Sequence, residues 1–561
     1  MSNKKLYLAI SVIVLFIACL PLFTVNCVGG HDIAYHLLRI EALKTGILSG
    51  RPFLRINMLF FGGMGYASSL FYPDFLLYFP AILRALGVGI NLSYHLFIAL
   101  CILLGFASSF YCAKHVSKSD LAAVITAVIF TLYQYHIYDI YTRSAVGEFT
   151  AVIFVPFVIA GIYDFMYEEY KHPWFLAIGM AGVLLCHTIT TVICLLLCVL
   201  SVIADIMNIK KEPGKLFRLL VTAVLVLGAT AFYWMPVAEM MSTGSFSNDY
   251  YFDTSYEAAK LWEVLFNEYN RMGVAIFILL LAGLLMKNRK RFADLCTIAG
   301  IFIAVCATGI FPWERLDGLL GFIQFPWRLF VMTGPLLAFA EGIYLSQIAE
   351  EIGSGEQKNS ETQGSGERQD GSKEQIGSEY KSRIILIAVT AIMVVSAVAN
   401  FENNTEKYYS YSGDYFEYVP FTAEVIGGEW LPTAASDREA LIAQAETVLT
   451  DTGDEIAVRR YKNELFVDTI PDGTEYVDVP FIYYKGYAAT NTDTKESLVT
   501  TGEGKNGCVR VYTNGAGTIR VYYKGTVVQH ISDAVSIGFI IGIIAYFLVP
   551  VIKKKREAQG K

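Results

Sequence analysis

Residues 91–112 read NLSYHLFIALCILLGFASSFYC, a stretch of 22 residues without a lysine, arginine, aspartate or glutamate. About 20 apolar residues in a helix cross the roughly 30 Å hydrocarbon core of a bilayer with every backbone group bonded internally. The run ends against Lys114 and Lys118, and a second run, 119–138, begins at once. Comparable runs lie near 5–28, 149–166, 172–187, 189–207, 217–240, 272–286, 292–310, 327–348, 383–400 and 533–552. The sequence therefore predicts a polytopic α-helical membrane protein with about twelve transmembrane helices. The first run follows Lys4-Lys5 and is too long and uninterrupted for a signal-peptide core, so it is read as a retained helix.

Composition agrees. Of 561 residues, 54% are hydrophobic and 17% charged, against about 25% charged in soluble domains. That balance excludes a disordered chain, a collagen-like chain and a disulfide scaffold. Continuous rather than alternating apolar runs exclude a transmembrane β-barrel. Ten cysteines are present, but only Cys508 falls in the large outer domain, so no disulfide framework is expected there.

Lysine and arginine collect in short cytoplasmic loops. Lys114 and Lys118, then Lys210, Lys211, Lys215 and Arg218, then Lys287, Arg289, Lys290 and Arg291, and finally Lys553, Lys554, Lys555 and Arg556 fall in alternate loops. Twelve spans with both termini cytoplasmic satisfy all of them. Segments 29–90, 241–271 and 401–532 then lie outside. Loop 350–382, rich in Gly, Ser, Glu, Gln and Lys, is read as a disordered cytoplasmic connector. The expected organisation is a transmembrane domain over 1–400, an extracytoplasmic β-rich domain over 401–532, and a last helix with a basic tail over 533–561.

The outer domain reads as α+β or a β-sandwich. Ser436 to Leu449 looks helical, and Ile456–Ile470, Glu475–Tyr484 and Val509–Tyr523 look strand-rich. Thr513-Asn514-Gly515-Ala516-Gly517 carries a hairpin signal. Tyr408, Tyr409, Tyr411, Tyr415 and Tyr418 at its entry read as a packing surface before they read as a sugar-stacking one.

Chemistry is sought among ionisable residues at the outer ends of the spans, where burial is costly and such groups are paired or functional. After the first run, Asp32 stands at the N-cap of an amphipathic helix carrying Ile33, Leu37, Ile40, Leu43 and Ile47, which is expected to lie in the membrane interface. Arg143 and Glu148 flank the turn between the third and fourth runs, His187 ends the fifth, and Arg328 opens the tenth. His31 and His36 invite a metal site with Asp32, yet two histidines five apart do not share a helix face. No cofactor is certain, and a divalent cation is the one candidate.

One carboxylate and two arginines on one leaflet suit a particular reaction. Moving a sugar from a polyprenyl phosphate to a hydroxyl needs a base for the hydroxyl proton and cations for the leaving phosphate. Phosphate is already a good leaving group, so the paired carboxylates of a glycosidase are not required. Walker, dinucleotide, zinc-ligand and nucleophile-elbow patterns are missing from the sequence, as are basic aromatic stretches for nucleic acid.

These residues also carry a resemblance. Gly30-His31-Asp32-Ile33-Ala34-Tyr35-His36, Phe71-Tyr72-Pro73 in the same segment, Tyr141-Thr142-Arg143 ahead of Glu148, and Phe325-Pro326-Trp327-Arg328 resemble YfhO-like and 6-pyruvoyl-tetrahydropterin synthase-related bacterial membrane proteins. Val479 to Tyr487 is similar to the C-terminal region of YfhO-like proteins. Both groups look like members of the GT-C superfamily of glycosyltransferases. The resemblance implies a GT-C fold, a polyprenyl-phosphate-linked sugar donor and an extracytoplasmic glycan, lipid or protein acceptor. It implies Asp32 as the catalytic acidic residue; beside it, Arg143, Glu148, Arg328, His36, Tyr72 and His187 are the candidate substrate-binding residues, Arg143 and Arg328 as the phosphate clamp, and no metal ligands are assigned. Many members show an Asp-Glu or Glu-Asp pair where this chain has His31-Asp32. Two other readings remain: a transporter or flippase of a lipid-linked saccharide, which predicts internal repeats and midplane charges, and a non-catalytic envelope scaffold, which predicts Asp32, Arg143 and Arg328 far apart.

Overall fold

The computed structural model describes residues 3–28, 30–247, 252–266, 272–361, 371–408 and 429–559. Among the described residues five helices are long and apolar enough to cross a membrane: Ile90–Ser117, Val146–Tyr167, Pro326–Glu351, Glu379–Phe401 and Val527–Tyr546. Two bent pairs, Asp120–Leu132 with Gln134–Arg143 (44°) and Pro213–Ala229 with Ala231–Thr243 (74°), raise the number to seven if each is one span. The expected number of twelve is not confirmed among the described residues, where several apolar runs continue past the ends of their helices. In the first run the helix Asn3–Ala18 stops where Pro21 opens the short 3-10 turn Leu20–Leu22. The fifth and eighth runs hold only the helices Trp174–Leu184 and Val274–Leu284. Segment 350–382 also differs from expectation: its described residues are helical, in Phe330–Glu361 and Gly371–Tyr408. Of the tyrosines at the outer-domain entry, Tyr409, Tyr411, Tyr415 and Tyr418 lie outside the described residues.

The chain divides into two compact units that interleave along the sequence rather than following the expected linear domains. One comprises Met1–Ile33, Tyr94–Thr222 and Phe252–Gly413, the other Ala34–Ser93, Ala223–Tyr251 and Asp414–Lys561. The first unit is helical and is built around Pro326–Glu351, whose apolar window is wholly buried. Close helix approach is possible there because Gly342 lacks a side chain, and a Cβ at that position would come within 2.8 Å of the Ala122 carbonyl oxygen.

The second unit holds a β-sandwich. Its strands are β1 Thr447–Thr450, β2 Glu455–Ala457, β3 Arg459–Tyr461, β4 Glu464–Val467, β5 Tyr476–Ile482, β6 Tyr487–Asn491, β7 Ser497–Leu498, β8 Thr500–Thr501, β9 Cys508–Tyr512 and β10 Ile519–Tyr523. Two five-stranded sheets result, in the orders β2-β1-β5-β9-β8 and β3-β4-β10-β6-β7, with antiparallel neighbours throughout. Val448, Val477, Val479, Val509 and Val511 from one sheet pack on Leu465, Val467, Ala489, Ile519 and Val521 from the other. The turn at Asn514-Gly515 does not close a hairpin: β9 and β10 belong to different sheets, so the chain crosses the sandwich there. Ser436–Leu449 is split between a short helix, Arg438–Gln444, and β1.

The first outer segment shares the core of this unit. Phe60, Phe61, Tyr66, Leu70 and Phe71 cluster with Leu431, Leu441, Ala445, Ile482 and Tyr484. The Ile482 amide donates to the Met64 carbonyl at 2.9 Å, and Arg460 donates to the Gly63 carbonyl at 2.7 Å. The helix Ile33–Leu48 is correspondingly buried on its polar as well as its apolar face, so it is not a surface-lying helix.

Candidate functional site

The site is built where the helix Asp120–Leu132 gives way to Gln134–Tyr138 and then to a single π-helical turn, Asp139–Arg143. Such turns are rare and concentrate at functional sites. Ser144 then takes a left-handed conformation (φ 53°), and the chain re-enters a helix at Val146. The reversal gathers Tyr135, Asp139, Arg143 and Glu148 on one inner face, all buried. Arg143 Nη1 donates to Asp139 Oδ1 at 2.6 Å, to Glu148 Oε2 at 2.8 Å and to the Tyr135 hydroxyl at 3.2 Å. The Tyr135 hydroxyl in turn donates to Glu148 Oε1 at 2.5 Å.

A guanidinium has five N–H donors, two of them on Nη1. With these bonds all on Nη1, Nε and Nη2 of Arg143 have no protein hydrogen-bond partner among the described residues and keep three donors for a ligand. The Trp327 ring lies 4.7 Å from the Arg143 carbon and holds the guanidinium plane in place.

The second cation arrives from another part of the chain. Gln324 adopts φ 63°, ψ −57°, a costly conformation for a residue with a side chain, and its amide oxygen accepts from Arg328 Nη1 at 2.6 Å. Arg328 Nε lies 3.7 Å from Glu148 Oε2 and is buried without a hydrogen-bond partner, and Asp139 Oδ2 is likewise unpartnered. Buried donors and acceptors of this kind call for an explanation, and an absent ligand or ion is one.

Asp32 is tied to this network through its backbone. The His31 and Asp32 amides donate to the carbonyls of Thr142 and Arg143 at 3.1 and 2.9 Å. That strap runs close because of Gly30, where a Cβ would come within 2.8 Å of the Ser144 amide nitrogen and closer still to its side chain. Asp32 occupies the N-cap position of the helix Ile33–Leu48, but its carboxylate makes no hydrogen bond or ion pair among the described residues. Its side chain is open to solvent, with much of the protein packed around it. Burial pushes the Asp32 carboxyl up, and Arg143 and Arg328 pull it part of the way back. Gly30→Ala is expected to push the strap away from Ser144 and lower thermal stability while the protein stays folded, as read by a thermal melt.

His187 sits within electrostatic reach of Glu148, Arg328 and Arg143. It also caps the helix Thr188–Ala204, its Nδ1 contacting Thr190 Oγ1 at 2.9 Å. His36 and Tyr72 fall in the other unit and serve a structural clamp. Arg39 donates to His36 Nδ1 at 3.2 Å, to the Tyr72 and Pro73 carbonyls at 3.2 and 2.7 Å and to Asp74 Oδ1 at 2.6 Å, with the Tyr72 ring 4.5 Å away. The structure thus gathers Asp32, Arg143, Glu148, Arg328 and His187 in one unit and gives His36 and Tyr72 a separate role. Tyr135 and Asp139 escaped the sequence reading, and Trp327 entered it only as part of the Phe325–Arg328 motif, without its contact to Arg143. Asp139 and Tyr135 stand four and eight residues before Arg143, a helical spacing that could have found them. Among the described residues Asp32 has no companions at metal-ligand spacing; the one such group lies elsewhere.

Apolar helices packed around a buried arginine–carboxylate cluster make that cluster the candidate site. Residues 70–403, well over half of the chain, match the family described as "6-pyruvoyl-tetrahydropterin synthase related domain; membrane protein", and the chain belongs to that family. It is 23% identical over 340 residues to an uncharacterized protein of Lactococcus lactis subsp. cremoris (strain MG1363), spanning 55% of each chain, or about half the length of that relative. Among solved structures it is similar to the arabinofuranosyltransferase AftD from Mycobacteria (13% identity, 71% of this chain and 27% of that one, TM-score 0.43). It is also similar to ArnT from Cupriavidus metallidurans bound to undecaprenyl phosphate (13%, 71% and 77%, TM-score 0.42) and to the Archaeoglobus fulgidus oligosaccharyltransferase in the apo form (13%, 73% and 57%, TM-score 0.41). Likenesses at this level carry no argument about activity, which rests on the site.

Proposed function

We propose that this protein is a membrane glycosyltransferase of the GT-C type that moves a sugar from a polyprenyl-phosphate donor to an extracytoplasmic acceptor in the bacterial cell envelope. The observation that supports this reading is the unpaired Asp32 carboxylate in the same unit as two arginines that retain unused donors.

In the proposed step the acceptor hydroxyl attacks the anomeric carbon, and the bond from that carbon to the phosphate oxygen breaks. Asp32 takes the hydroxyl proton, and the polyprenyl phosphate departs with the bonding electron pair. The free Nε and Nη2 of Arg143, with Arg328, bond the phosphate oxygens as charge builds on them. Glu148 touches neither partner; it positions both guanidinium groups. The acceptor is a glycan, lipid or protein, the bilayer houses the donor's tail, and no nucleic acid is involved.

The test is direct. Purified protein in lipid nanodiscs, given a panel of polyprenyl-phosphate sugars, should transfer or hydrolyse at least one. Failure with every donor, alongside facilitated movement of a lipid-linked saccharide across proteoliposomes, would favour a flippase instead.

A pH profile follows from the same assignment. The base must be ionised, and its pKa is raised by burial above the ordinary 3.8. kcat/KM should fall with unit slope as pH drops, with a midpoint above that value. An acid limb at or below it, or none, would remove Asp32 from the role.

A further inference from the structure

The described residues include one group of side chains at metal-ligand spacing, and it belongs to neither the transferase site nor the β-sandwich. His115 ends the helix Ile90–Ser117, Asp164 lies in the last turn of Val155–Tyr167, Glu168 follows that helix and His172 precedes Trp174–Leu184. One ligand atom from each lies within 4.8 Å of all the others. Asp164 is also 16 residues beyond Glu148 on the span Val146–Tyr167, about 24 Å along a helix axis, so this cluster is remote from the transferase site. Lys114 and Lys118, which assign this loop to the cytoplasm by sequence, flank His115.

We infer that His115, Asp164, Glu168 and His172 form a binding site for one divalent transition-metal ion, with Zn²⁺ the best match. The distances carry the argument. His115 Nε2 lies 3.5 Å from Glu168 Oε2 and 3.9 Å from Asp164 Oδ1, and His172 Nδ1 lies 3.6 Å from Glu168 Oε2. These exceed a hydrogen bond, and His115 Nε2 is accordingly buried without a hydrogen-bond partner. Tetrahedral ligands at 2.0–2.2 Å from zinc stand about 3.3–3.6 Å apart. The His172–Asp164 edge, 2.8 Å, would open on binding.

The surroundings hold the ligands in place. Glu169 and Tyr170 both take left-handed conformations (φ 57° and 58°), and this reversal brings the His172 amide back to donate to Asp164 Oδ2 at 2.7 Å. Lys118 Nζ holds the far oxygen of Glu168 at 2.8 Å, leaving Oε2 toward the cluster. Asp164 is wholly buried, while the His172 side chain is 43% exposed and offers a path for the ion. Two imidazoles and two carboxylates select a zinc-like ion over Mg²⁺ or Ca²⁺, which favour six or more oxygens. Four protein ligands close the shell, so the ion would pin three helix ends together rather than perform chemistry.

The test uses the full chain in detergent, with any affinity tag removed, stripped by chelator and then titrated with Zn²⁺ or Co²⁺. Expected are one Zn²⁺ retained per chain after desalting and the intense visible absorption of tetrahedral Co²⁺. His115→Ala/His172→Ala and Glu168→Gln should lose both, while Asp32→Asn keeps both. Wild-type protein that retains no metal, a weak six-coordinate Co²⁺ spectrum, or unchanged retention in the double variant would each overturn the site. The wild-type spectrum stands even if a variant folds poorly, and none of these readouts depends on transferase activity.

Discussion

Asp32→Asn should reduce sugar transfer by about 10²–10⁴-fold, the usual contribution of a positioned base, without lowering thermal stability. The second half of that statement is as specific as the first. The carboxylate makes no hydrogen bond or ion pair among the described residues, and its backbone link to Arg143 survives the substitution. Nothing that holds the fold is removed. Donor KM should change little, because the proposed step assigns the phosphate to Arg143 and Arg328 rather than to Asp32. The measurement is steady-state turnover with the active donor, beside a thermal melt of the same preparation. Full turnover in the variant would assign the base elsewhere.

Arg143→Met should destabilise the protein by about 3–5 kcal/mol, the loss that follows removing one partner of a buried pair. Asp139 and Glu148 would be left buried without the cation that both contact through Nη1. Arg143→Lys separates stability from ligand binding. An ammonium can restore donors to Asp139, Glu148 and Tyr135, but it lacks the planar fork that would grip a phosphate. That variant should keep most of the stability and lose transfer at least tenfold, mainly through KM for the lipid phosphate. Melting curves and donor-concentration series on both variants check this. Equal stability of wild type and Arg143→Met would mean that the ion network does not form.

The sequence carried much of this site in pieces. Asp32, Arg143, Glu148 and Arg328 stood out because charged groups beside apolar runs are costly, a one-dimensional signal. Tyr135 fell inside the run 119–138 taken as transmembrane and Asp139 just past its end, and their part depends on a π-turn that adds a residue to the helical repeat, which no hydropathy window detects. His36 and Tyr72 looked like site residues because they share a segment with Asp32. Arg39 holds them instead, bonding the His36 ring three residues away and the Tyr72 and Pro73 carbonyls and the Asp74 carboxylate 33 to 35 residues away along the chain. The Asn514-Gly515 turn shows the same limit: its residues specify a tight reversal, while the sheet each flanking strand joins is set by distant partners.

What the sequence determined by itself was the solvent of each segment. Apolar runs, basic loops and the β-branched alternation after 430 are properties of consecutive residues, and they marked out the helical membrane regions and the β-rich one. Tertiary structure decided which runs are long enough to span, since proline and strained turns end helices before the hydrophobicity ends. It also decided that the first outer segment forms a buried cluster of its own with Leu431, Leu441, Ile482 and Tyr484, beside the core between the two sheets. The cluster of Asp139, Arg143, Glu148 and Arg328 was likewise its product: ion pairs and hydrogen bonds form between groups a few ångströms apart, and such distances are set only when the chain has folded.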